Sequence, residues 1–151
     1  MTTPTVLVAV GLDDAADRVV DLAAVWAGRS KAKLVLAHAV PPPDLGLADV
    51  RMAGLVPPLG EPPIDAMLQA ATKRIAALVD RLAGTGMVVE TIIEVGDPTA
   101  TLLDIADRIG AELLVIGTHG RRGIARVLVG SVAEAVLREA KIPVLVLRTT
   151  A

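Results

Sequence analysis

The chain has 151 residues, of which 53% are hydrophobic and 21% charged, and its formal net charge at pH 7 is −2. This length suits one domain, and the slightly negative charge argues against nucleic acid as a main partner. The absence of cysteine from the sequence excludes disulfides, thiolate catalysis and cysteine zinc sites.

The apolar residues occur in short runs and not in one long segment. No run approaches the roughly 18 residues that a membrane-spanning helix needs, and no basic segment followed by an apolar signal core opens the chain. We therefore expect a cytosolic protein without membrane contact. Trp26 is the only aromatic residue, so Ala, Val, Leu and Ile must build the core, which suits a parallel sheet buried on both faces.

The hydrophobic periodicity alternates between strand-like and helical patterns. In chain order it predicts a strand at Thr5–Val10, a helix at about 14–28, a strand at Lys33–Ala39, a helix at about 64–83, a strand at Met87–Val95, a helix at about 98–109, a strand at Glu112–Ile116, a helix that ends near Ala140 and a strand at Val144–Leu147. Gly28 is expected to end the first helix and Gly110 the third, while Pro98 suits the first turn of the third helix.

This alternation is typical of an α/β fold: a three-layer, doubly wound sandwich with a five-stranded parallel sheet, right-handed crossovers and helices on both faces. Residues 1–151 are predicted to form a single domain. For a strand order of 3-2-1-4-5, the order reverses between strands one and four. Ligands of such open sheets bind beyond the carboxyl ends of the strands at this switch point.

A segment rich in proline and glycine, at about 41–63, interrupts the pattern. It contains seven of the ten prolines of the chain, which argues against regular structure and predicts a long surface loop. A loop of this length is either a plain connection or a lid over a ligand, and the sequence leaves both readings open.

The most specific pattern lies between the fourth strand and the last helix. The run Gly117–Gly120 (Gly-Thr-His-Gly) is followed after nine residues by Gly130 and Ser131. A loop from a buried strand to a helix N-terminus presents unpaired N–H groups and the positive end of the helix dipole, which attract anions. Glycines in it allow a phosphate to approach closely. Alternatively, Ser131 caps the helix and forms a capping box with Glu134, which needs no ligand.

The loop matches neither of two well-known phosphate motifs, because the chain has no Walker sequence and no Gly-x-Gly-x-x-Gly turn after the first strand. It resembles the universal stress protein family, whose nucleotide-binding members carry Gly-x2-Gly-x9-Gly-Ser/Thr at this point. The resemblance is strong from about Gly96 to Arg148 and weaker over the first forty residues. It rests on Val95-Gly96-Asp97-Pro98, on residues 110–120 and 130–134, and on Ile142-Pro143-Val144-Leu145-Val146.

This resemblance implies a binding site for ATP, possibly with Mg²⁺. The residues at the binding positions of the family are Ala9 and Ala39 near the adenine, Gly11 at the position that contacts the nucleoside, Ile116 and Gly117 beside the ribose, and Gly120, Gly130, Ser131 and Val132 around the phosphates. The resemblance implies no catalytic residue and no protein ligand to a metal.

The end of the first strand departs from the family pattern. ATP-binding relatives usually place an aspartate there that contacts the nucleoside, whereas this chain has Gly11, which is expected to weaken ATP binding or to change the base preference. Asp13 and Asp14 follow, and could reach the ribose, hold Mg²⁺ through water or cap the first helix. His38 is predicted to be structural and His119 to be a polar loop residue, and neither has metal-ligand spacing.

Three functions are compatible with these residues. The favoured one is a cytosolic, ATP-binding regulator of the stress response that hydrolyses ATP slowly or not at all. The second is an interaction module that binds no nucleotide, which Gly11 supports. The third is a weak ATPase, in which Arg121, Arg122 and Arg126 would have to neutralise the phosphate charge. The apolar strand Pro143–Leu147 is a predicted sheet edge, and because relatives commonly dimerise through it, we expect a homodimer.

Overall fold

The computed structural model describes residues 2–42, 64–118 and 130–149. Positions 43–63 of the predicted proline-rich loop therefore lie outside the described residues. The elements in chain order are β1 (Thr5–Ala9), α1 (Ala15–Ser30), β2 (Lys33–Val40), α2 (Ile64–Arg81), β3 (Val89–Val95), α3 (Pro98–Ile109), β4 (Leu113–Gly117), α4 (Ser131–Glu139) and β5 (Val144–Leu147).

The five strands form one parallel sheet in the order β3-β2-β1-β4-β5, which confirms the predicted fold class and strand order. β1 lies at the centre, where Leu7 pairs with Val35 of β2 on one side and with Leu114 of β4 on the other. The chain moves outwards from β1 to β2 and β3, and then crosses back to β4 and β5. The switch point of the sheet is therefore the gap between β1 and β4.

Side chains alternate between two cores, one on each face of the sheet. On β1, Val6 and Val8 belong to the core beneath α1 and α2, whereas Leu7 and Ala9 belong to the core beneath α3 and α4. All five residues of β1 are buried. Burial on both faces explains why β1 and β4 are continuous apolar runs, without the apolar and polar alternation of a half-exposed strand.

The predicted ends of α3 are confirmed. The Asp97 side chain precedes the helix and accepts a hydrogen bond from the Ala100 N–H at 2.9 Å, and Pro98 is the first helical residue. The first N–H groups of a helix have no acceptor within the helix. The carboxylate of the N-cap residue accepts from one of them, and proline removes another because it has no N–H. Gly110 ends the helix in the left-handed conformation, with φ 62°, which glycine adopts at little cost.

The prediction that Gly28 ends α1 is wrong. The helix continues to Ser30, and Lys31 ends it with φ 54° and donates its N–H to the Ala27 and Gly28 carbonyls. The Ser30 hydroxyl also donates to the carbonyls of Trp26 and Ala27. These bonds satisfy acceptors of the last turn, so the helix passes through a glycine at a cost of about 1 kcal/mol relative to alanine.

Two arginines of α2 connect it to α1. Arg74 contacts Asp17 at 2.9 Å, and Arg81 forms a fork with both carboxylate oxygens of Asp21. Arg81 lowers the pKa of the Asp21 carboxyl, chiefly by hydrogen bonding to its charged form. These pairs are partly or largely exposed, so they align the two helices more than they stabilise them. None of the helices that the structure describes is both long and apolar enough to cross a bilayer.

Candidate nucleotide site

A cavity of about 240 Å³ opens at the carboxyl edge of the sheet. The first residues after β1, the end of β4 and the first turn of α4 surround it, so it occupies the predicted switch point. Most of its wall is aliphatic. The described residues that line it are Ala9, Val10, Gly11, Asp13, Ala15, Ala16, Val19, Ala37, His38, Ala39, Pro41, Pro98, Leu102, Ile116, Gly117, Thr118, Val132, Ala133 and Thr149.

The structure brings most of the predicted site residues together. Six of them line the cavity: Ala9, Gly11, Ala39, Ile116, Gly117 and Val132. Gly130 and Ser131 lie directly before Val132 at the start of α4. Gly120 lies outside the described residues, as do His119 and the arginines at 121, 122 and 126.

The start of α4 differs from a capping box. Gly130 is the N-cap, with φ −54° and ψ 156° and no side-chain hydrogen bond, and Ser131 is already the first helical residue. The capping-box interpretation, which needed Ser131 as the cap, is therefore wrong. The backbone N–H of Glu134 donates to the Gly130 carbonyl at 2.9 Å, while the earlier N–H groups of a helix have no intrahelical acceptor. Val132 and Ala133 of this first turn line the cavity.

Gly117 is required by close packing at the end of β4. A Cβ atom on Gly117 would lie 2.7 Å from Val19 Cγ2 and 2.8 Å from Thr149 Cγ2, distances at which atoms must move. Thr118 and Thr149 continue this contact beyond the strands, because the Thr149 hydroxyl donates to the Thr118 carbonyl. Gly117 was expected to allow the close approach of a phosphate, but contacts with the protein's own side chains already account for a glycine at this position.

Asp13 and Asp14 differ in their surroundings at the start of α1. Asp14 is the N-cap residue but forms no side-chain cap hydrogen bond, so the predicted cap is absent there. Asp13 lines the cavity, and its backbone carbonyl accepts hydrogen bonds from the Ala16 N–H at 3.2 Å and from Arg74 at 3.1 Å. Arg74 thus ties the segment after β1 to α2.

His38 lies in β2 and lines the cavity. Its Nδ1 is 2.7 Å from the Val10 carbonyl oxygen, and because a carbonyl only accepts, Nδ1 must carry the proton. This bond supports the predicted structural role, but the place of His38 in the cavity wall was not predicted. Burial lowers the pKa of His38, and the hydrogen bond to Val10 opposes this only in part. The neutral ring leaves Nε2 as an acceptor.

Sequence reasoning also missed four residues that line the cavity: Pro98 and Leu102 of α3, Thr118 directly after β4, and Thr149 after β5. Their apolar and hydroxyl side chains carry no motif, so only the strand order would have placed them. The described residues contain no group of three or more histidine, aspartate or glutamate side chains that could hold a metal ion.

The sequence was compared with family models and with known proteins. Residues 2–148 match the model described as the universal stress protein family. The chain belongs to the universal stress protein family. Universal stress protein Rv1636 of Mycobacterium tuberculosis is 38% identical over 148 residues, which cover 97% of each chain.

Two solved structures of the family share its fold. Universal stress protein UspA from Lactobacillus plantarum is 26% identical with a TM-score of 0.76, and the match covers 98% of this chain and 99% of that one. A universal stress protein in complex with cAMP is 32% identical with a TM-score of 0.62, and the match covers 99% of this chain and 100% of that one. The fold and the family are thus established by sequence and by structure.

The packing around Gly117 predicts opposite effects for two glycine substitutions. We expect Gly117→Ala to lower the free energy of unfolding by about 1–3 kcal/mol, because its methyl group would collide with Val19 and Thr149. The matched control is Gly28→Ala, since the new methyl group lies at an ordinary 3.8 Å from Met87 Cε inside a helix. This control should raise stability by about 0.5–1 kcal/mol. Urea unfolding of both variants at one protein concentration measures the difference, and equal effects would contradict the packing argument.

The lowered pKa of His38 predicts a specific acid destabilisation. Between the folded-state pKa and the unfolded value of about 6.5, the unfolded chain binds more protons, so stability falls as the pH is lowered through this window. His38→Asn keeps a donor for the Val10 carbonyl but does not titrate. Urea unfolding at several pH values between 5 and 8 should show a smaller loss of stability in this variant than in the wild type. The same pH dependence in both would show that His38 does not titrate differently on folding.

Proposed function

We propose that this protein binds an adenine nucleotide, with ATP as the expected ligand, in the cavity between β1 and β4. The observation that carries the proposal is the convergence of six predicted nucleotide contacts on a single cavity at the switch point of the sheet. These residues lie in or directly after four elements that are distant in the sequence, β1, β2, β4 and α4. Topology and motif are independent arguments, because one depends on strand order and the other on glycine spacing.

The chemistry of the cavity suits a nucleotide with its phosphates towards α4. The wall near Ala9, Ala39 and Ile116 is aliphatic and offers a surface for a flat purine ring. Beyond it, the first turn of α4 begins at Ser131 without a capping side chain. The first N–H groups of a helix have no intrahelical acceptor, and together with the helix dipole they favour a negative charge. The adenine and the phosphates thus have different partners at the two ends of the cavity.

A relative supports the choice of an adenine nucleotide. The universal stress protein in complex with cAMP is 32% identical to this chain, and cAMP has the same base and sugar as ATP with a single phosphate. If Mg²⁺ accompanies ATP, it would bind mainly through the phosphate oxygens, as is usual for Mg²⁺ in nucleotide complexes.

Binding, with slow hydrolysis or none, is the proposed activity. Phosphoryl transfer needs a positioned base and cationic groups at the phosphates. The described part of the cavity wall contains neither a lysine nor an arginine. We propose that the nucleotide stabilises one conformational or assembly state of a cytosolic regulator in the stress response.

Homodimerisation through β5 is part of this proposal. The strand Val144–Leu147 forms one edge of the sheet, and all four of its side chains are only half-buried. An apolar edge with unpaired backbone groups tends to pair with another chain. A second copy that contacts this strand would complete the burial of its side chains.

Calorimetric titration of nucleotide-stripped protein with ATP and Mg²⁺ tests the site. We expect micromolar binding to the wild type and at least a tenfold loss in Gly130→Val, because the isopropyl group would occupy the phosphate end. The backbone of Gly130, with φ −54° and ψ 156°, is allowed for any residue, so the variant tests space and not strain.

The same titration separates the alternatives. Parallel titration with cAMP shows whether the site prefers one phosphate or three, and single-turnover assays with Mg-ATP detect hydrolysis. If millimolar ATP and cAMP gave no heat and left the melting temperature unchanged, the protein would act as an interaction module without nucleotide, as Gly11 suggests.

The proposed dimer predicts different effects of lysine on the two edges of the sheet. Val146→Lys in β5 should give a monomer in light scattering at micromolar concentration, because a charge on the edge opposes strand pairing. The control Val95→Lys lies in β3 at the opposite edge and should remain a dimer. Circular dichroism checks that both variants are folded. A monomeric mass for the wild type would refute the dimer.

A further inference from the structure

The segment after β5 forms part of the cavity wall. The register between β4 and β5 ends at the pair Gly117 and Leu147, and the Thr118 N–H donates to the Leu147 carbonyl at 2.9 Å. Beyond this bond, contacts that involve threonine side chains replace the pairing of backbone with backbone. Thr118 and Thr149 both line the cavity, so these contacts lie at the proposed nucleotide site.

Thr118 and Thr149 form a pair that we call the threonine clasp. The Thr149 hydroxyl donates to the Thr118 carbonyl, and the Thr149 N–H donates to the Thr118 hydroxyl oxygen at 3.3 Å. The two hydroxyl oxygens are 3.5 Å apart. The clasp therefore supplies partners to a carbonyl and an N–H that lie beyond the last paired residues of the sheet, where backbone groups otherwise depend on water.

The methyl group of Thr149 makes a separate contact. A Cβ atom on Gly117 would lie 2.8 Å from Thr149 Cγ2 and 2.7 Å from Val19 Cγ2, so the end of β4 is enclosed by Thr149 on one side and by α1 on the other. The hydroxyl and the methyl group of Thr149 thus act on neighbouring residues. Valine at position 149 would keep only the methyl group, and serine would keep only the hydroxyl.

We infer that Thr149 is a positioning residue of the nucleotide site, since its hydroxyl fixes the backbone directly after the residues expected beside the ribose; this inference rests on the proposed nucleotide site. Those residues are Ile116 and Gly117, and Thr118 follows them in the cavity wall. A wall that already has its binding conformation loses less conformational freedom when the ligand binds. Without the Thr149 hydroxyl, the Thr118 carbonyl loses this donor and the wall is less well fixed.

The clasp and the nucleotide should stabilise each other. If the closed clasp raises the affinity for the nucleotide by some factor, the bound nucleotide must favour the closed clasp by the same factor. The Thr149 N–H reports on this equilibrium, because its hydrogen bond to the Thr118 hydroxyl must break before the proton exchanges with water. Bound ATP should therefore slow the exchange of this amide proton.

Calorimetric titration of the full chain with Mg-ATP tests the inference. Thr149→Val should bind ATP about 3-fold to 10-fold more weakly than the wild type, which is the usual effect of one lost hydrogen bond. Thr149→Ser keeps the hydroxyl and should retain the affinity of the wild type. The matched control is Thr91→Val, the same substitution at an exposed position of β3 that does not line the cavity, and it should also leave the affinity unchanged.

Hydrogen exchange of the Thr149 amide, measured by NMR, separates positioning from a purely structural role. In the wild type, saturation with Mg-ATP should slow this exchange by about the factor that Thr149→Val loses in affinity, roughly 3-fold to 10-fold. The control is the Met87 amide, which donates to the Thr85 hydroxyl at the same distance of 3.3 Å but lies near the amino end of β3. Its exchange rate should be the same with and without ATP.

The outcomes distinguish the two levels of the proposal. Equal ATP affinities of Thr149→Val and the wild type, equal losses in the valine and serine variants, or exchange at Thr149 that ATP does not change would each refute the positioning role while the nucleotide site stands. If the wild type binds no ATP, the nucleotide site and the inference fail together. A melting temperature of Thr149→Val close to that of the wild type verifies that weaker binding does not reflect unfolding.

Discussion

Burial of β1 on both faces is the constraint on which the rest of the structure depends. Leu7 is fully buried against α3 and α4 on one face, and Val8 against α1 and α2 on the other. A strand in this position needs helices on both sides and a parallel neighbour on each edge. Because the chain then leaves β1 in one direction and returns on its other side, a gap must open between β1 and β4 at their carboxyl ends. The cavity is thus a consequence of the core.

Small residues shape this gap. Gly117 allows α1 and the C-terminal segment to close against the end of β4, while Gly11 leaves space for the carboxylate of Asp13. At the far end, Gly130 starts α4 without a side chain over its first N–H groups. The three glycines therefore have three different physical roles, although the sequence pattern joins Gly117 and Gly130 in one motif and leaves Gly11 outside it.

Most of the fold could be predicted from the sequence, because along most elements the hydrophobic periodicity agrees with the positions of proline, glycine and capping residues. Asp97, Pro98 and Gly110 mark α3 correctly, since their side chains or backbone act within one turn. The errors concern competition between local signals. At Gly28 the helix continues because Lys31 and Ser30 bond to the carbonyls of the last turn, and at Ser131 the helix begins one residue earlier than a capping box requires.

The candidate site was predictable only in part. Residues of the glycine motif and of the strand ends could be named from spacing and strand order. The position of the Asp13 carboxylate over Gly11, the place of His38 in the cavity wall and the wall contributed by Leu102 and Thr149 depend on contacts between distant segments. No local pattern encodes such contacts, because the packing of α1, α3 and the C-terminal segment against the sheet decides them.

We propose that a nucleotide binds beyond the carboxyl ends of β1 and β4. The most direct measurement is an amide chemical-shift titration of isotope-labelled protein with Mg-ATP. Binding there should shift the amide signals of Ala9, Gly11, Ile116 and Val132 and leave unchanged those of Lys31 and Met87, which lie near the amino ends of β2 and β3. If saturating ATP shifted only amide signals near the amino ends of the strands, or shifted none, nucleotide binding at the carboxyl ends would be refuted.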